Sequence, residues 1–136
     1  MRWDTSERAG FSDAEPWLPV GTDVATLNVA SQRDDPGSML SLYRRLLDLR
    51  REERALNLGE WHDLGSSESA IAYLRSDGTR RFLVAANLTG TAAGLPSLAM
   101  GYSGRLLVST TRLDPEADFR AQDGLAPDEA ILVLLD

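Results

Sequence analysis

Hydrophobic and polar positions fall into three regimes along the chain. Residues 1–35 show no sustained period: Trp3, Phe11 and Trp17 are scattered among Asp, Ser, Thr and Gly, with Pro16 and Pro19 close by. A loop of that length is usually either functional or disordered, and aromatic residues are uncommon in a disordered tail. The segment therefore reads as a long loop built to lie against something. Next, Met39, Leu42, Tyr43, Leu46 and Leu49 share one face at 100° per residue, with Leu40 and Leu47 flanking it. Ser41, Arg44, Arg45, Asp48, Arg51 and Glu52 fall opposite. Asp35 is a plausible N-cap with Pro36 at the first helical position, and Ser38 is a second candidate. Arginines gathered toward the far end suit the helix dipole. An amphipathic helix over 36–53 is predicted.

After Gly59 the pattern changes to short apolar runs separated by turn residues, the signature of antiparallel strands. Strands are predicted at 61–64, 70–75, 81–87, 105–110 and 130–135, with a weaker one near 93–95. Asp77–Gly78 marks a hairpin between the second and third. Phe82–Ala86 and Ile131–Leu135 are apolar on both faces, so they belong at the centre of a sheet. The fold class is mainly β: a small antiparallel β-sandwich, Greek-key-like, preceded by one amphipathic helix and a long N-terminal loop.

Composition narrows the function classes. The 136 residues fit one domain with a core of its own. A net charge of −7 argues against tracking a phosphate backbone, so no nucleic acid is expected. No apolar run approaches the length of a membrane span, and no apolar stretch follows the charges of MRWDTSERAG. The expected setting is cytoplasmic. Zero cysteines exclude thiol catalysis, disulfide scaffolds and Cys-ligated zinc. All 14 basic residues are arginine, which removes Schiff-base and P-loop chemistry and fits the coding bias of a GC-rich bacterial genome.

Candidate chemistry is sparse. His62 is the only histidine, and a Ser–His–Asp triad would have to join it to Ser66, Ser67 or Ser69. No Gly-x-Ser-x-Gly elbow is present, GYSG at 101–104 having the wrong spacing, so His62 reads as a half-exposed strand residue. Asp114, Glu116 and Asp118 form a DxExD array like part of a calcium loop, but Phe119 stands where the turn glycine belongs. A solvated acidic turn is the better reading, and no metal or cofactor is expected. Asp34 with Asp35, and Asp13 with Glu15, lie in polar surroundings and read as caps and solvated loop charges. Asn87–Leu88–Thr89 matches the glycosylation pattern, which carries no weight without a secretory signal. Trp3, Phe11, Trp17, Trp61 and Tyr102 either stack on sugar rings or pack loops onto a core.

The order of segments, MRWD, then AGF, then PWLPV, then LNVASQRDDPGSMLSLYRRLLDLRREERAL, resembles the end of the catalytic domain in α-glucosidase-type members of the α-amylase superfamily. That group includes oligo-1,6-glucosidases, trehalose synthases and sucrose isomerases. The matching positions are Met1, Trp3, Asp4, Phe11, Pro16–Val20, Asn28, Val29, Gln32, Ser38, Leu40, Tyr43, Leu46, Leu49 and Arg50. AIAYLRSDGTRRFLVAANLT and LAPDEAILVLL are similar to strands of the family's C-terminal β domain. The resemblance implies residues 1–56 as the last loop and last helix of a truncated (β/α)8 barrel, and 57–136 as the C-terminal β domain. It also implies that the nucleophile, the acid/base and a third aspartate lie upstream of Met1, so the chain is a fragment that is inactive alone. Arg2, Trp3 and Asp4 then lie near the substrate entrance and shape aglycone subsites. Two other readings stay open: a stand-alone α-glucan-binding β module, and a structural or interaction domain. The apolar arc of helix 36–53 is wider than the ~100° stripe of a one-sided surface helix, so homo-oligomerisation through it is expected.

Overall fold

The computed structural model describes residues 1–112 and 116–136, which divide into two units, 1–45 and 46–136. In the first unit, Arg8, Ala9 and Gly10 all take left-handed backbone angles (φ 53°, 56° and 63°) within a tight turn over Glu7–Gly10. The turn brings the Ala9 carbonyl back to accept the backbone N–H groups of Trp3 at 2.8 Å and Asp4 at 3.4 Å. Two consecutive non-glycine residues in that region carry real steric cost, so the surroundings must hold them there. Buried Ala9 is part of that hold.

A short helix, α1 (Val29–Arg33), interrupts the stretch read as loop. Asn28 caps it: the Asn28 side chain accepts from Ser31 N at 2.8 Å, and Asn28 N donates to the Ser31 hydroxyl at 3.3 Å. Two further N–H groups of its first turn, on Val29 and Ala30, donate to the carbonyls of Arg2 and Trp3. Main-chain demand at a helix start is met by the chain's first residues.

The main helix, α2 (Met39–Glu52), begins three residues later than predicted. Ser38, not Asp35, is its cap, accepting from Ser41 N at 3.1 Å while its hydroxyl donates to the Gln32 carbonyl at 2.7 Å. Asp35 is occupied by the preceding turn, its carboxylate accepting from Gly37 N. At Glu53 the backbone becomes extended, and α3 (Arg54–Leu58) follows as a separate turn.

The second unit is built on six strands: β1 (Glu60–Ser66), β2 (Ala70–Ser76), β3 (Arg81–Asn87), β4 (Ser103–Ser109), β5 (Asp118–Arg120) and β6 (Ala130–Leu135). All pair antiparallel in the order β1-β2-β3-β6-β4-β5. The mainly β expectation holds, with hydrogen bonds linking all six strands into one sheet. As predicted, the strands apolar on both faces are central: β6 sits between β3 and β4. The stretch 93–95 is no strand and contributes one bridge, Ala93 to Leu125. β5 was not anticipated.

One face of the sheet carries the core, with Leu64, Leu74, Leu83, Leu106, Phe119 and Val133 closed over by Leu95, Ala99 and Leu125. Phe82, fully buried, points to the other face, where α3 packs on β2 and β3. Arg75 of β2 ties α3 down by donating to the Ala55 carbonyl at 3.3 Å. Gly104 is required in β4 because a side chain there would run into the Leu134 carbonyl of β6.

Candidate functional site

Arg2, Trp3 and Asp4 are held by three different devices within the first unit. The Arg2 guanidinium pairs with Asp23 at 2.5 Å. Trp3 is fixed by its main chain, which joins Ala9 on one side and Ala30 on the other, and leaves its indole half exposed. The Asp4 carboxylate accepts from the Ser6 hydroxyl at 2.5 Å and from Ser6 N at 2.8 Å. Those bonds, the hydroxyl's first, hold the carboxyl below its ordinary pKa. Gly10 stands directly behind it: at φ +63° a Cβ would lie 2.7 Å from an Asp4 carboxylate oxygen. Glycine therefore serves both the turn and the carboxylate.

Arg2 also lines an open, mainly apolar cleft of about 400 Å³, with Met1, Leu27, Asn28, Val29, Gln32, Met39, Leu40 and Tyr43. Gln32 braces the cleft by accepting from Leu40 N at 3.1 Å through its side chain. Trp3 and Asp4 are not among the lining residues, so the structure sets Arg2 in the cleft and the other two along the same loop.

Other sequence candidates separate. His62 lies half exposed in β1 with Glu60 3.5 Å away, and the Ser67 hydroxyl accepts backbone N–H groups in the turn before β2. No triad forms between them. Of the acidic array, Asp114 lies outside the described residues, Glu116 is 3.8 Å from Arg105, and Asp118 pairs in β5. Asn87 is buried, donating to the carbonyls of Thr91 and Ala126 and accepting from Thr89 N and its hydroxyl. It is a structural knot with no room for a glycan. Tyr102 packs partly against the core, whereas Trp17 and Trp61 stay exposed.

One group had no role in the sequence reading. Glu129 is fully buried, bridged to Arg112 (Nε to Oε1 2.8 Å, Nη2 to Oε2 2.9 Å), with Ser109 Oγ at 2.6 Å and Ala126 N at 2.8 Å. Burial alone pushes its pKa up, but the hydrogen bonds from Ser109, Ala126 and Arg112 outweigh it and hold the group below its ordinary value. The only signal in the sequence was a glutamate set directly before an all-apolar strand.

The family profile described as alpha amylase, catalytic domain, matches residues 1–59, the segment that carries this loop and the helices behind it. Over these residues the chain is an α-amylase-family sequence. Among its relatives in that family is the glucan 1,6-alpha-glucosidase of Streptococcus pneumoniae, 39% identical over 65% of this chain and 17% of that protein. The oligo-1,6-glucosidase of Parageobacillus thermoglucosidasius is 30% identical over 96% of this chain and 24% of that protein. The human amino acid transporter heavy chain SLC3A1 is 36% identical over 71% of this chain and 16% of that protein. Among solved structures, trehalulose synthase MutB from Pseudomonas mesoacidophila MX-45 superposes with a TM-score of 0.84 at 29% identity, covering 99% of this chain and 24% of that one. The chain thus spans less than a quarter of the length of each of these relatives.

Proposed function

We propose that this α-amylase-family chain is the closing, non-catalytic portion of an α-glucosidase-type enzyme acting on α-linked glucose oligosaccharides. In this reading residues 1–56 belong to the barrel and 57–136 to the C-terminal β domain, and Arg2, Trp3 and Asp4 form the aglycone side of the substrate entrance. The observation that carries it is the catalytic-domain match over 1–59, joined to a loop whose side chains are already held in place. Retaining glycosidases use two carboxylates about 5–5.5 Å apart, one a nucleophile and one an acid of raised pKa. Asp4 lacks the raised pKa of the acid, since Ser6 favours its ionised form. An ionised carboxylate, a fixed guanidinium and a half-exposed indole suit hydrogen bonding and stacking to a sugar. A bacterial, cytoplasmic setting belongs to the same reading and draws on the cysteine-free composition and the bacterial relatives. So does self-association through helix 36–53, supported by exposed Met39, Tyr43, Leu46 and Leu47.

The test has two arms. The 136-residue chain, assayed with p-nitrophenyl α-glucoside, isomaltose and maltose, is expected to turn over none of them; activity surviving stringent purification overturns the non-catalytic role. In a longer protein carrying the upstream barrel, Trp3→Ala and Asp4→Asn are expected to raise KM for disaccharides and leave kcat within about tenfold, the pattern of lost binding contacts. Abolished kcat in Asp4→Asn, with KM unchanged, overturns the assignment of the loop to binding.

A further inference from the structure

We propose that the outer strip of β1 and β2 is a binding platform for an uncharged α-linked glucan chain, with Trp61 and Tyr73 as its stacking surface; the choice of ligand rests on the glucosidase reading above. The pairing of the two strands sets Trp61 opposite Arg75 and Asp63 opposite Tyr73. Since successive side chains alternate, Trp61, Asp63, Ile71, Tyr73 and Arg75 share the face turned away from core residues Ala72 and Leu74. Trp61 and Tyr73 are diagonal neighbours there, their ring centroids 6.0 Å apart and their planes inclined by 37°. Trp61 is 56% exposed and Ile71 41%, whereas Tyr73 and Arg75 are partly buried and α3 is bonded to Arg75, so the strip opens to solvent on its edge-strand side.

A pyranose ring has a flat C–H face and a rim of hydroxyls. It rests its face on an aromatic ring while polar side chains at the margin take the hydroxyls. Both parts are present. The Asp63 carboxylate uses one oxygen to accept from Gly65 N at 2.8 Å, which orients the group. Arg75 donates to the carbonyls of Ala55 at 3.3 Å and Asn57 at 3.5 Å, two of the five N–H groups a guanidinium has, and is fixed by them. One carboxylate and one guanidinium leave the strip without net charge. That balance fits an uncharged polymer, whereas the chain's net charge of −7 disfavours polyanions. β2 is paired on both sides, so the platform is set before any ligand arrives.

Native gel electrophoresis of the 136-residue chain in gels containing glycogen, dextran or carboxyl-free xylan tests the proposal. Wild type is expected to be retarded by glycogen or dextran and not by xylan. Trp61→Ala is expected to weaken retention about tenfold, the scale of one buried aromatic contact. Trp61→Phe should restore part of it and Trp17→Ala leave it unchanged, with circular dichroism confirming the fold of each. An unretarded wild type, or equal retention of Trp61→Ala, overturns the platform and leaves standing the glucosidase reading, which draws on residues 1–59 and the relatives. Trp61-dependent retention by xylan alone overturns the α-glucan ligand and counts against the glucosidase reading itself.

Discussion

At the scale of single residues, three carboxylates held by hydrogen bonds each have a measurable consequence. Removing one partner of a buried ion pair leaves an uncompensated charge, at a cost of roughly 3–5 kcal/mol. Arg112→Ala, which strands the Glu129 carboxylate, is expected near the lower end of that range in urea denaturation, because Ser109 and Ala126 still donate to it. The pH dependence follows from the same bonds. A carboxyl held below its ordinary pKa in the folded state adds stability that is complete above the unfolded value and lost as pH falls through the folded one. Stability should therefore decline on acidification from about pH 4.5 downward, the ordinary glutamate value. The decline should be shallower in Glu129→Gln. Asp77, lowered to about 2 by Arg80 N, the Thr79 hydroxyl and Thr79 N, adds to the same descent. Gly10→Ala provides an independent check at the other unit: its Cβ displaces the Asp4 carboxylate from Ser6, and the Asp4 pKa measured by NMR should rise toward its ordinary value.

At the scale of elements, protection against amide exchange should follow pairing. β3 and β6 are the two innermost of the six strands, with two strands beyond them on either side, so 81–87 and 130–135 are expected to exchange slowest, and residues 1–32 fast. Uniform protection from residue 1 onward would contradict this. Asn28→Ala should speed exchange across α1 and cost about 1 kcal/mol locally, the usual worth of a cap. These same elements mark where the sequence was legible. β3 and β6 announced themselves because a strand buried on both faces must be apolar at every position. The five residues of α1 carry no period, and their Asn-x-x-Ser cap looks like any polar loop. Asp35 and Ser38 were equal candidates by residue type, and only the Gln32 carbonyl, brought in by α1, decided between them. β5 spans three residues and exists through its partner β4, a pairing that local pattern does not encode.

For the whole molecule, the order of strands was the least visible property, since inserting β6 between β3 and β4 depends on contacts far apart in sequence. The apolar side of α2 raises a question of assembly that sedimentation can answer. A species of twice 14.9 kDa at micromolar concentration, returning to monomer in Leu47→Glu, is the expected result. A monomer at every concentration tested would overturn pairing through α2. The position of β6 also governs how the chain is made. β3 and β4 lack their common neighbour until residues 130–135 have emerged from the ribosome, so the middle of the sheet closes only after the other five strands have been made. Until then the nascent chain presents two unpaired strand edges, each a template for pairing with another chain.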